Sequence, residues 1–229
     1  ALYSSTSGPP SIRRKGDEAK FRIALGTAQG LQYLHANNVI HRDIKPANIL
    51  LHADYNAHLT DFGFSRPADP AVHTTGQTGS FRYMAPEVVR SSDYSVKADV
   101  YSFAIIVNEI FTGEKPYQYY TAADVAISVA RDGTRPTQTR IRNKRLRNII
   151  ARAWDQDPAA RPDWPEIISE IEAARLEMTV RRNVGIGALF GGGSARKSGS
   201  HSSGNSRRIS LSDTPKATSP SVEQEDPDK

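Results

Sequence analysis

The stretch HRDIKPANILLHADYNAHLTDFG, His41 to Gly63, decides how the chain is read. Of its aspartates and asparagines, three stand at the ends of short apolar runs: Asp43 follows the pair Val39-Ile40, Asn48 lies five residues later, and Asp61 comes after two further runs. The strand signal of the whole chain is confined to VI, NILL and AHLT, each four residues or fewer. The polar HADYN between the last two predicts a turn, so NILL and AHLT read as a small hairpin. A loop, a strand pair and a second loop can then bring Asp43, Asn48 and Asp61 together.

That trio suits one kind of chemistry. Phosphoryl transfer from a nucleotide needs a carboxylate to orient the attacking hydroxyl and accept its proton, and oxygen ligands for the metal on the phosphates. One carboxylate, one amide oxygen and a second carboxylate supply those parts. Lys45, two residues after Asp43, can reach the transferred phosphate as a point charge.

Outward from this stretch the pattern turns helical. Phe21, Ala24, Leu25, Ala28, Leu31 and Leu34 predict one helix, and Val100, Phe103, Ala104, Val107, Ile110 and Phe111 a second that is apolar on much of its surface. Thr121 opens a third with an Asp three residues on, a capping-box pattern. Ile167, Ile171, Ala174 and Met178 mark the last, beginning beside Pro165. The reading is α+β: a mainly helical body over residues 1–178 whose few short strands bracket His41 to Gly63. Beyond a boundary near Thr179 to Val184, residues 179–229 are dominated by Ser, Gly, Pro and charge. They carry too little apolar surface to offset chain ordering, so a disordered tail is expected.

The 229 residues carry a formal charge of +5 and no cysteine, which excludes disulfides, thiolate metal sites and cysteine nucleophiles. The densest basic run, Thr139 to Trp154, places Leu146, Ile149, Ile150, Ala153 and Trp154 at helical spacing, with Arg142, Lys144, Arg145 and Arg147 largely on other faces. No aromatic residues interleave with these charges, so the run reads as a solvated helix face and no nucleic-acid partner is expected. The six histidines are scattered, without the clustering of a metal site. No run approaches the roughly 20 apolar residues of a membrane span, and a soluble, cytoplasmic setting is expected. The loop-like ALYSSTSGPP start predicts further sequence upstream, where a receptor's membrane helix is not excluded.

The motifs together resemble the eukaryotic protein kinases over roughly Ala1 to Met178. HRDIKPAN is similar to the catalytic loop, DFG at Asp61 to Gly63 to the metal-binding motif, and APE at Ala85 to Glu87 to the end of the activation segment. The resemblance implies that Asp43 is the catalytic base, that Lys45 contacts phosphate and substrate, that Asn48 and Asp61 hold Mg2+, and that Leu50 floors the adenine pocket of ATP. It places His41 and Phe62 in an apolar spine and Gly63 in the metal-binding motif. It makes Asp99, in DVYSFAIIVNEIFTGEKPY, the residue that holds the catalytic-loop backbone. Arg161, in AWDQDPAARPDWPEI, is expected to pair with Glu87. Lys45 in DIKPAN resembles Ser/Thr kinases, and GSFRYMAPEV with DVYSFA the tyrosine-kinase-like group, so a protein Ser/Thr hydroxyl is the expected substrate.

Arg42 before Asp43 resembles kinases switched by activation-loop phosphorylation. A phosphate on Thr74, Thr75 or Thr78, added by an upstream activating kinase, would pair with Arg42 and order the loop. Ser80 matches the substrate-docking position. In the tail, Ser210, Thr214 and Ser219 resemble kinase targets. The Gly-rich loop, lysine and helix glutamate of the small lobe have no match in the 229 residues. The chain is therefore expected to be the large lobe alone, inactive by itself, with apolar surface exposed around Leu34, His41 and Leu50. Three other readings stay open: a non-catalytic kinase-like binding module, a small-molecule phosphotransferase and tail-driven scaffolding.

Overall fold

The computed structural model describes residues 16–61, 66–67, 80–91 and 95–190. Six helices are seen among them: α1 (Asp17–Ala36), α2 (Pro86–Ser91), α3 (Val96–Thr112), α4 (Ala122–Asp132), α5 (Lys144–Ala153) and α6 (Trp164–Phe190). Four short strands, β1 (Val39–Ile40), β2 (Ile49–Leu51), β3 (Ala57–Leu59) and β4 (Arg66–Pro67), form two antiparallel pairs.

Helix α3 is the axis of the core. From Ala98 to Thr112 nearly every residue is buried, and even Asp99, Asn108 and Glu109 lie inside. A helix buried all round carries apolar residues on every face, as this one does. Its start is set by Ser95, whose hydroxyl accepts from the Lys97 amide at 3.2 Å. Its end is set by Gly113 at φ 68°, the left-handed turn that favours glycine. Around it pack α1 through the edge-to-face Phe21–Phe111 pair at 4.9 Å and α6 through Phe103–Trp164 at 5.3 Å.

The hairpin expected from NILL and AHLT is present, with Ile49 opposite Leu59, Leu50 opposite His58 and Leu51 opposite Ala57. It lies directly on α1, and two glycines make the approach possible. A Cβ at Gly30 would sit 3.1 Å from Leu59 Cδ1, and one at Gly26 3.2 Å from the Ala57 amide nitrogen. The capping box on α4 also forms: Thr121 accepts from Asp124 N, and the Asp124 carboxylate accepts from Thr121 N.

Several features differ from the sequence reading. The pair Val39-Ile40 is joined by Arg66–Pro67, a strand with no alternating pattern to announce it. The short α2 begins at Pro86, inside the APE motif, where a proline at the first helical position suits the chain start. Helix α6 runs on to Phe190, past the expected boundary at Thr179 to Val184, because each added residue gains a backbone hydrogen bond and no proline interrupts. The basic run is helical as expected, but Arg145 is not merely solvated: it bonds Glu170 and Glu177 at 2.9 Å each, tying α5 to α6. Among the described residues no helix is long and apolar enough to cross a membrane.

Candidate active site

Asp99, on the first turn of α3, is almost wholly buried, and its carboxylate organises the loop that carries Asp43. One oxygen accepts from the His41 amide at 2.8 Å, the other from the Arg42 amide at 3.0 Å. His35 Nε2 adds a third bond at 2.8 Å, and the Trp164 indole N–H donates to His35 Nδ1 at 2.7 Å. With Nδ1 accepting, His35 carries its proton on Nε2, so it donates to Asp99. This set holds Arg42 at φ 69°, a left-handed conformation unusual for a residue with a side chain. Strained backbone of this kind persists where the surroundings over-determine it.

His41 is buried to zero exposure and performs a local bridge. Its Nε2 lies 3.1 Å from the Thr60 carbonyl and its Nδ1 accepts from the Asp43 amide at 3.4 Å. The His41 ring is therefore not itself exposed, being bonded to Thr60 just after β3. Leu34 is half-buried, while Leu50 is 45 % exposed.

The Asp43 carboxylate is oriented by two cationic or polar hydrogens. Lys45 Nζ lies 2.5 Å from Oδ2, and Asn48 Nδ2 3.1 Å from the same oxygen. Asn48 Nδ2 also reaches the Asp43 carbonyl at 2.7 Å. Pro46–Asn48 form a single 3₁₀ turn, the compact bend that folds Asn48 back over Asp43. Directly beside this group is a cleft of about 20 Å³, bordered by Asp43, Tyr83, Met84 and Val88, with room for a water-sized group.

The hairpin returns the chain to the same loop: the Thr60 amide, just before Asp61, donates to the Asn48 carbonyl at 3.0 Å. Asp61 is exposed and also left-handed, at φ 62°. The donor chemistry fits a magnesium ion carried by phosphates. Magnesium takes one or two protein oxygens and completes its shell with phosphate and water, and Asn48, with its nitrogen bonded to Asp43, keeps an amide oxygen of the required kind. Among the described residues no three His, Cys, Asp or Glu side chains converge on a metal position. His52 and His58, on either side of the hairpin turn, meet with ring centroids 4.5 Å apart.

Glu87 and Arg161 form the expected pair, bidentate at 2.6 and 2.8 Å. The guanidinium also bonds the carbonyls of Lys97 at 2.8 Å and Asp155 at 2.9 Å and lies 5.2 Å from the Tyr101 ring centre. Phe62, Gly63, Thr74, Thr75, Thr78 and residues 191–229, with Ser210, Thr214 and Ser219, lie outside the described residues. Ser80 opens a 3₁₀ turn, Ser80–Arg82. Beyond the expected set, Tyr83 donates to buried Glu109 at 2.8 Å, linking the segment before APE to α3. Burial pushes the Glu109 carboxyl up to about 8, against the opposing pull of Lys115. His35, Trp164 and Glu109 were not singled out from sequence. The one signal available was a polar residue inside an apolar helix, which holds for Glu109 alone.

Residues 13–171 match the family described as protein tyrosine and serine/threonine kinase. The chain is 38 % identical over 158 residues to the serine/threonine-protein kinase STY46 of Arabidopsis thaliana, covering 69 % of this chain and 28 % of that one. It is 36 % identical over 171 residues to the serine/threonine/tyrosine-protein kinase HT1 of the same plant, covering 75 % and 43 %. A probable serine/threonine-protein kinase of Dictyostelium discoideum, DDB_G0267514, is 38 % identical over 148 residues, covering 65 % and 16 %. The chain thus spans less than half the length of these relatives.

Proposed function

The chain belongs to the protein tyrosine and serine/threonine kinase family, and on that premise we propose that it supplies the catalytic loop and substrate platform of an ATP-dependent protein Ser/Thr kinase. The observation that carries the reading is the Asp43 carboxylate, fixed by Lys45 at 2.5 Å and Asn48 at 3.1 Å on a loop anchored to buried Asp99.

Each residue has a distinct part. Asp43 orients the attacking Ser or Thr hydroxyl and accepts its proton. Lys45 holds the carboxylate turned toward the substrate, and its charge also balances the phosphoryl group. Asn48 and Asp61 hold the metal. Mg2+ held there with ATP would neutralise the negative charge of the phosphates. The side chain to be phosphorylated would approach Asp43 from the open side of the loop, and the Tyr83–Glu109 bond holds the segment before APE against α3. A phosphate on the segment containing Thr74, Thr75 and Thr78 would engage Arg42.

By itself this chain transfers phosphate negligibly, because the elements that grip the nucleotide from the other side have no match among its residues, and unpositioned phosphates cost orders of magnitude in rate. The test compares the 229-residue chain with one extended upstream through a small lobe, using labelled ATP, Mg2+ and a protein substrate. Phosphoserine or phosphothreonine made only by the longer chain supports the reading. Phosphotyrosine as the main product would overturn the Ser/Thr assignment, and binding of a partner without any transfer by the longer chain would replace the enzyme with a binding module.

A further inference from the structure

The rings of His52 and His58, with centroids 4.5 Å apart and planes tilted by 54°, have no part in the phosphotransfer reading. The strand register explains why they meet. Ala57 and Leu59 face α1, where they crowd Gly26 and Gly30, and successive strand residues point to opposite faces. His58 therefore points away from α1, as does Leu50 opposite it, and His52, two residues beyond Leu50, shares that outer face. Both imidazoles are exposed.

The backbone beneath the pair is fixed. The His52 amide donates to the Asn56 carbonyl and the Tyr55 amide to the His52 carbonyl, each at 3.0 Å, closing the turn. Within it the Asp54 carboxylate accepts from the Asn56 amide at 3.1 Å and from the Asn56 side-chain nitrogen at 2.5 Å. Both donors are neutral, so the negative charge of Asp54 stays in the turn and favours a cation there. Arg22, which reaches the Asp54 carbonyl at 3.4 Å, is itself paired with Glu18 at 3.6 Å.

The ring spacing selects a ligand. A metal ion about 2.1 Å from one nitrogen of each ring, with a right angle between the two bonds, sets the ring centres about 4.5 Å apart, whereas a tetrahedral angle opens them to about 5.2 Å. We propose that His52 and His58 chelate one divalent transition-metal ion of tetragonal preference, Cu2+ or Ni2+, with water in its remaining positions. Imidazole suits these ions, and right-angle ligation by nitrogen is their geometry. Mg2+ takes oxygen ligands instead, so the pair differs in chemistry from Asn48 and Asp61. A bound ion would clasp the turn, joining the end of β2 to β3.

The test titrates Cu2+ into the 15N-labelled 229-residue chain. Electron paramagnetic resonance counts the coordinated nitrogens, and paramagnetic broadening of the amide signals locates the ion. The first equivalent should give a tetragonal spectrum with couplings from two imidazole nitrogens, and broadening centred on residues 50–58. About a hundredfold excess of Mg2+ should leave it bound. His52→Phe and His58→Phe keep a ring at each place but remove its nitrogens. Each should weaken Cu2+ about tenfold or more, since the second ligand no longer binds intramolecularly. Broadening centred elsewhere, a single coupled nitrogen, displacement by Mg2+, or unchanged affinity in either variant would each overturn the proposal. The spectra of the unaltered chain decide the matter even where a variant does not fold, and none of these readouts depends on phosphotransfer.

Discussion

Arg161→Met is a severe test of how the lobe is held together. The Arg161 side chain is fully buried and the Glu87 side chain is 14 % exposed. Four hydrogen bonds disappear with the guanidinium: two to Glu87 at 2.6 and 2.8 Å, one to Lys97 O at 2.8 Å and one to Asp155 O at 2.9 Å. Methionine fills much of the volume but leaves a largely buried carboxylate without its guanidinium and two carbonyls each short of one donor. Breaking a buried pair on one side costs about 3–5 kcal/mol, chiefly from the stranded charge. Urea unfolding followed by tryptophan fluorescence, reporting Trp154 and Trp164, should show that loss, with a melting temperature lower by about 10 °C. The double variant Glu87→Gln with Arg161→Met removes the stranded charge and should recover about 2 kcal/mol relative to Arg161→Met. A loss below about 1 kcal/mol for Arg161→Met, outside the range for a buried pair, would refute the reasoning, as would a double variant no more stable than the single one.

Other expectations follow from the same geometry. Burial holds Glu109 up at about 8 against an ordinary 4.5, so its contribution is full below about 4.5 and is lost as pH rises through about 8. Stability should fall by about 3 kcal/mol between pH 5 and pH 8 from this group, and denaturant titrations of Glu109→Gln should show that slope flattened; an unchanged slope contradicts the assignment. Asp99→Leu frees the His41 and Arg42 amides, and hydrogen exchange at those two amides should accelerate at least tenfold more than at the Ile105 or Ile106 amides on α3, roughly the effect of losing a charge-assisted bond. Thr121→Ala removes a capping box and should cost about 1 kcal/mol in urea unfolding, whereas no change would mean that the cap is dispensable.

What could be read in advance was local. The hairpin from NILL and AHLT, the capping box at Thr121 and the buried helix through Val100 to Phe111 each advertise themselves within a few residues, by alternation, spacing or a cap. The return of the chain from the hairpin to the loop carrying Asn48 was legible because a hairpin must bring its ends together, and Thr60 N to Asn48 O is that return. Long-range polar partnerships were not legible. Trp164 and His35 are 129 residues apart, and neither carries a signal that it will bond the other. Likewise β4 could not be foreseen, since two residues pairing with β1 leave no period to detect, and Arg145 was read as solvated because its acidic partners belong to another helix.

The central claim is that Asp43 is the group that activates the attacking hydroxyl. In a chain extended through a small lobe, single-turnover transfer should fall by about 10³-fold or more for Asp43→Ala, within the effect expected of a positioned base together with lost orientation, while ATP affinity measured separately stays within about threefold, since Asp43 is not one of the proposed metal ligands. Transfer by Asp43→Ala within tenfold of the unaltered protein would contradict the account.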